Sequence, residues 1–188
     1  MAVSRGRLLV VPRLGGRPDS DWYPWLCSRA RDGGRYADTD VLAAPDPDRP
    51  EVALWTQRLG RALGRDPRVC AETVVVGHSV GCLALLHVLA GMNVQVRGAV
   101  FVAGFFALPR PDAVLQPWVD APLDLDAASA AARARVALLS TDDPFTPATA
   151  LARRAWEERC RATVRVVPGA GHFGRAWEPA VWEAVSGL

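Results

Sequence analysis

The sequence predicts an α/β fold on a mainly parallel sheet of about six strands, and three observations carry that expectation. Short apolar runs rich in β-branched residues recur along the chain, each the length of one strand buried on both faces. Amphipathic helical patterns separate them, and an alternation of strand and helix places helices on both faces of a parallel sheet. A glycine-flanked serine, in Gly77-His78-Ser79-Val80-Gly81, sits at one strand-to-helix junction.

The elements follow in order. Arg7 to Pro12 reads as the first strand, and Asp21 to Ala30 as the helix after it. A weaker strand signal lies at Asp40 to Ala43. The next helix spans Pro50 to Leu63, where Val52, Trp55, Leu59 and Leu63 recur at helical spacing and so share one face. Strand Thr73 to Val76 leads through the serine motif into helix Val80 to Leu89, and strand Gly98 to Ala103 follows. Phe105 to Arg135 breaks the rhythm: Pro109, Pro111, Pro117 and Pro122 precede an alanine-rich run. At about 30 residues it exceeds an ordinary connection, and is expected to form either a small cap over a site or a loop with one helix. Strand Val136 to Ser140, helix Ala148 to Cys160, strand Thr163 to Val167 and helix Glu178 to Val185 complete the pattern.

Composition bounds the function. With 188 residues, 50% hydrophobic and 22% charged, residues 1–188 suit one domain with its own core. The 22 basic and 20 acidic residues are mixed along the chain for a net charge of +2, which argues against nucleic acid or an anionic membrane as partner. No apolar run reaches membrane-spanning length and no signal-peptide core precedes the first strand, so a cytoplasmic location is expected. Cys27, Cys70, Cys82 and Cys160 are widely spaced and read as buried free thiols; no metal or other cofactor is expected. The sequence does not set the oligomeric state.

Gly77 to Gly81 matches a nucleophile elbow, a turn so sharp that only small residues fit two positions either side of the serine. Ser79 is then the candidate nucleophile. The Val80 amide, at a helix N-terminus, is a candidate oxyanion donor. A serine hydroxyl needs a base. Of three histidines, His78 lies inside the elbow and His87 two turns along the next helix, which leaves His172 in the glycine-rich Pro168 to Phe173 loop after the last strand. An acid to orient that imidazole is expected between Ser79 and His172, where Asp142 and Asp143 follow a strand. The turn after the first strand, Pro12 to Gly16, offers the Leu14 amide as the second oxyanion donor. Trp22, Phe105 and Phe145, with Phe106 and Trp118, are candidates to bind an apolar acyl or alcohol group.

The segments VVPRLGG, Trp22-Tyr23-Pro24-Trp25, Ala44-Pro45-Asp46-Pro47 with Trp55, GHSVG, STDDPFTP and GAGHF together resemble the small serine hydrolase family of retinoblastoma-binding protein 9 and bacterial YdeN. The resemblance covers nearly the whole chain in order. It implies a compact α/β-hydrolase with little or no lid, Ser79 as nucleophile, His172 as base and Asp143 as orienting acid. Two departures stand out. Family members commonly carry Pro-Gly where this chain has Pro12-Arg13, and Arg13 beside the oxyanion loop becomes a candidate contact for a substrate carboxylate. The Leu-x-Cys-x-Glu motif of the vertebrate protein lacks its leucine in Arg68-Val69-Cys70-Ala71-Glu72, so that binding activity is not expected.

The expected function is metal-free hydrolysis of a small-molecule carboxylic ester, amide or thioester through an acyl-enzyme. The same triad also suits an acyltransferase or cyclase, and the fold also serves binding proteins whose triad is idle.

Overall fold

The computed structural model describes residues 6–146 and 149–188. Six strands, β1 (Gly6–Val11), β2 (Tyr36–Val41), β3 (Thr73–His78), β4 (Val96–Val102), β5 (Ala132–Ser140) and β6 (Thr163–Val167), form one sheet in the order β2-β1-β3-β4-β5-β6. Every neighbouring pair is parallel. The described helices are α1 (Tyr23–Asp32), α2 (Val52–Leu63), α3 (Pro67–Ala71), α4 (Val80–Ala90), α5 (Gln116–Asp120), α6 (Leu125–Ala130), α7 (Ala150–Arg159) and α8 (Pro179–Ser186).

The period-two geometry of a strand sorts each apolar run between two cores. Leu8, Val10, Val74, Val76, Val100 and Val102 face α1 and α8, and pack with Leu26, Ala30, Val181 and Val185. Their neighbours Leu9, Val11, Val75, Ala99 and Phe101 face the other way, against Trp55 and Leu59 of α2, Leu85 of α4 and Trp156 of α7. Buried on both sides, these strands carry no polar alternation, and for that reason their sequences are plain apolar runs.

Three segments differ from expectation. The second strand runs over Tyr36–Val41, ahead of the predicted Asp40 to Ala43; it is an edge strand whose central residues face solvent, so its sequence lacks the apolar run. The segment after β4 holds two short helices, α5 and α6, and β5 begins at Ala132, before the predicted Val136. Trp118, Leu125 and Ala128 of those helices are buried in the α2–α4 core, so they belong to the body of the fold and do not form a cap. Helix α3 has no apolar periodicity to announce it; Asp66 caps it by accepting from the Arg68 amide at 2.8 Å. The expected helix start at Ala148 lies, with Pro147, outside the described residues; the described helix begins at Ala150, where Thr149 accepts the Ala152 amide.

The chain leaves β1 toward β2 on one side and continues from β3 toward β6 on the other, so sheet direction switches between β1 and β3. Crevices at the carboxyl ends of strands at such a switch are where open α/β sheets bind ligands. The Pro12 to Gly16 turn and Ser79 both lie there.

Candidate active site

Ser79 sits between β3 and α4 at φ 55° and ψ −122°, a conformation that costs a non-glycine residue about 1–3 kcal/mol. Two glycines enforce it. A Cβ on Gly77 would lie 2.8 Å from the Cys82 Cα, and one on Gly81 would lie 2.5 Å from the Pro12 carbonyl oxygen. The strained residue is clamped on both sides: its amide donates to the Val102 carbonyl at 2.8 Å and its carbonyl accepts the Cys82 amide at 2.9 Å. The result is a serine at the floor of a cleft of about 560 Å³ that Leu14, Arg13 and His172 also line.

His172 arrives on the loop after β6, where Gly169 and Gly171 take positive φ values of 70° and 55°. Ser140 and Asp142, at the end of β5, hold that loop. The Ser140 hydroxyl donates to Asp142 Oδ1 at 2.6 Å and accepts the Ala170 amide at 3.1 Å, while Asp142 accepts the Gly171 amide at 3.0 Å. These bonds, the Ser140 hydroxyl foremost, hold the Asp142 carboxyl below its ordinary range. Asp142 thus ties the β5 end to the loop that carries His172.

Asp143 faces the other way. Its side chain is fully buried, with Oδ2 2.8 Å from His172 Nδ1. Oδ1 accepts the Phe145 and Thr146 amides at 2.8 and 3.0 Å, and Thr146 Oγ1 lies 2.7 Å from Oδ2. Burial pushes this carboxyl up, but the His172 ring and the Thr146 hydroxyl outweigh it, and the net shift is downward. An ionised Asp143 requires a proton on His172 Nδ1, which leaves Nε2 with its lone pair free, as a base needs.

Leu14 lines the same cleft, and Val80 is the residue after Ser79. Val80 is the first residue of α4, so its amide has no intrahelical acceptor. Around Leu14 the other amides are engaged: Arg13 N donates to Tyr23 Oη at 3.1 Å, Gly15 N to the Pro47 carbonyl at 2.7 Å and Gly16 N to the Arg13 carbonyl at 2.9 Å. Among the described residues the Leu14 amide donates to none.

The other expected contacts divide. Phe105 and Phe145 line the cleft, Phe145 with its ring 5.0 Å from that of His172 and edge-on. Trp22 is not in it: fully buried, it donates from Nε1 to the Phe173 carbonyl at 2.8 Å and supports the His172 loop from behind. Trp118 is also buried away from the cleft, its Nε1 on the Pro50 carbonyl. Arg13 reaches the cleft wall, but Asp21 engages Nε and Nη2 at 2.8 and 3.1 Å, and Nη1 donates to the Leu14 carbonyl at 2.8 Å. All four cysteines are free and buried, and burial raises their thiols, Cys160 to about 12. Among the described residues no group of three His, Cys, Asp or Glu side chains is assembled for a metal ion.

A family model described as serine hydrolase matches residues 8–188. The chain belongs to the serine hydrolase family. It is thus an enzyme, a serine hydrolase. Solved structures agree in fold. The YdeN protein of B. subtilis superposes with a TM-score of 0.82 at 24% identity, covering 97% of each chain. Est1E of Butyrivibrio proteoclasticus gives 0.72 at 11% identity over 97% of this chain and 86% of its own. The RedJ thioesterase of the prodiginine pathway in Streptomyces coelicolor gives 0.63 at 17%, over 97% and 84%. At these identities the likeness is one of fold. No curated protein matches the chain significantly, and no described helix of this hydrolase is long and apolar enough to cross a membrane.

Sequence reasoning missed three residues of the site: Tyr23, Asp21 and Thr146. Thr146 had a signal, because Asp-x-x-Thr is a pattern in which the carboxylate accepts the amide and hydroxyl three residues on. Asp21 and Tyr23 lie only eight and ten residues from Arg13, but meet it through a turn that no such local pattern announces.

Proposed function

We propose that the protein hydrolyses a carboxylic ester or thioester of a small, largely apolar molecule through an acyl-enzyme on Ser79. The observation that supports the reading is that Ser79, Leu14 and His172 line one cleft, with His172 Nδ1 2.8 Å from Asp143 Oδ2 behind it. Ser79 Oγ attacks the carbonyl carbon while His172 Nε2 takes its proton; Asp143 stabilises the imidazolium that forms. The carbonyl oxygen gains negative charge between the Leu14 and Val80 amides. Collapse expels the alcohol or thiol, which receives the proton from His172, and water then repeats the sequence on the acyl-enzyme.

The substrate class rests on the walls. Phe105, Leu108, Pro109 and Phe145 line the reacting cleft and also a neighbouring one of about 590 Å³, which continues along α7 past Leu151, Ala152, Ala155 and Trp156. Phe145 and Leu151 are 60% and 77% exposed there, large apolar surfaces that an acyl chain would cover. The Arg13 charge is already met by Asp21, which favours an uncharged ester over one bearing a carboxylate.

A series of p-nitrophenyl esters from acetate to octanoate tests the reading. We expect kcat/KM to rise up to fourfold per methylene until the apolar cleft is filled, one fluorophosphonate adduct by intact mass, and loss of both activity and adduct in Ser79→Ala. Equal labelling of Ser79→Ala would overturn it. Addition of an amine or alcohol acceptor to the same assay separates hydrolysis from acyl transfer by its products.

A further inference from the structure

His78 stands between Gly77 and Ser79, fully buried, with both ring nitrogens engaged. Nε2 lies 2.8 Å from the His172 carbonyl oxygen. A carbonyl only accepts, so Nε2 carries the proton and Nδ1 is left as an acceptor. Tyr23 Oη, 2.8 Å from Nδ1, must therefore donate to it, and the same oxygen accepts the Arg13 amide at 3.1 Å. One directed path results: Arg13 N–H to Tyr23 O–H, to His78, to the carbonyl of His172. Burial holds the His78 ring neutral, with its pKa pushed down to about 3, and pushes the Tyr23 phenol up, so neither link reverses near neutral pH.

The two ends of this path are the two walls of the reacting cleft. At one end, Arg13 begins the turn that presents the Leu14 amide; Asp21 grips its side chain, which in turn holds the Leu14 carbonyl, and Pro47 holds the next amide. At the other end lies the backbone of His172 itself. The connection runs beneath Ser79 through the residue adjacent to it in sequence, where no ligand reaches. It accounts for a feature the proposed reaction leaves unused: a histidine within the nucleophile motif that touches no substrate.

Resting on the reading of Ser79 and His172 as nucleophile and base, we infer that His78 is a positioning residue, a buried strut that fixes the His172 loop and the oxyanion turn relative to each other across Ser79. Its hydrogen bonds set where the base and the oxyanion donors stand; the ring itself takes no part in proton transfer.

Substitutions separate its two links. His78→Leu removes both. His78→Gln keeps an amide donor near the position of Nε2 for the His172 carbonyl and gives up the Nδ1 acceptor. Tyr23→Phe removes the hydroxyl alone. On p-nitrophenyl acetate we expect His78→Leu to lower kcat on the order of 100-fold, the scale of a misplaced catalytic group, with KM within about threefold of the original. His78→Gln should recover at least a tenth of the lost rate, and Tyr23→Phe should fall between the two. Fluorophosphonate labelling rates, measured per folded molecule well below each melting temperature, should follow kcat. Loss of activity in Ser79→Ala, run alongside, establishes the reaction independently of the strut. Nitrogen-15 NMR of labelled histidine reads the strut without reference to catalysis: one ring, absent in His78→Gln, should keep its proton on Nε2 from pH 5 to 9. Should His78→Leu fail to fold, the Gln and Phe variants and the NMR signal carry the test. Unchanged turnover in the folded variants, no recovery by Gln over Leu, or a His78 proton found on Nδ1 would overturn the inference.

Discussion

Gly81 and Pro12 stand backbone against backbone: a methyl group on Gly81 would come within 2.5 Å of the Pro12 carbonyl oxygen and 2.6 Å of that of Val11. The first turn of α4 thereby rests on the end of β1, and the Val80 amide is set against the turn that holds Leu14. Gly81→Ala is expected to push these two apart. With no flexible side chain to yield, we expect a loss of about 1–3 kcal/mol in stability and a fall in kcat of about 10²-fold, the scale of one lost oxyanion donor. Urea denaturation and ester turnover measure both; a variant of unchanged kcat would show that the contact does not set the site.

Strain at Ser79 yields a second expectation. Ser79→Ala keeps a side chain at φ 55°, whereas Ser79→Gly relieves it. Both should be inactive, but Ser79→Gly should be the more stable by about 1 kcal/mol, the strain relieved less the extra chain entropy of glycine. A thermal melt in which the alanine variant is equal or better would refute this.

The adjacent carboxylates should separate by function. Asp143→Asn leaves the turn amides an acceptor but presents an amide to His172 Nδ1, favouring the wrong tautomer, and should lower kcat by about 10⁴-fold in a folded protein. Asp142→Asn weakens the ties to Ser140 and Gly171 at the surface, and should lower the melting temperature slightly while kcat falls far less. Paired melts and turnover numbers check both; a dead Asp142→Asn would reverse the roles.

Stability should fall on the acid side. Folded His78 takes up a second ring proton only near pH 3, against an ordinary 6.5, so unfolding takes up a proton between those values and stability drops as pH falls through that window. Asp143, whose folded pKa is lowered, adds the same sign below its ordinary range. The slope from His78 is at most about 1.4 kcal/mol per pH unit. Urea unfolding at pH 7.5, 5.5 and 4.5 should show the decline, with a shallower slope in His78→Gln; parallel slopes would refute it.

How far the sequence foretells this arrangement depends on distance along the chain. The buried strands and the elbow are legible because their signals are local: apolar runs of strand length, and glycines at positions where the backbone has no room for a Cβ. The edge strand Tyr36–Val41 is not, because half its surface is wet and its residues Ala37 to Asp40 look like a loop. Trp22 illustrates the same limit. An aromatic near the mouth in sequence suits a substrate wall as well as a core, and only the Phe173 carbonyl, 151 residues away, shows which. Arg13 reads from sequence as a free cation; Asp21, itself at a φ of 50°, turns back to meet it.

The walls of the cleft and its reacting groups come from different parts of the chain. Ser79, Asp143, His172 and Leu14 hang on strand ends, whereas the apolar lining belongs largely to the 104–109 segment and to α7, which also brings the exposed Arg154–Glu158 pair to the rim of the neighbouring cleft. On the proposed reading, chain-length preference is set by other residues than turnover: enlarging Ala152 or Ala155 of α7 should shift the preference among acyl groups without disturbing a strand, a glycine or a charge at the centre.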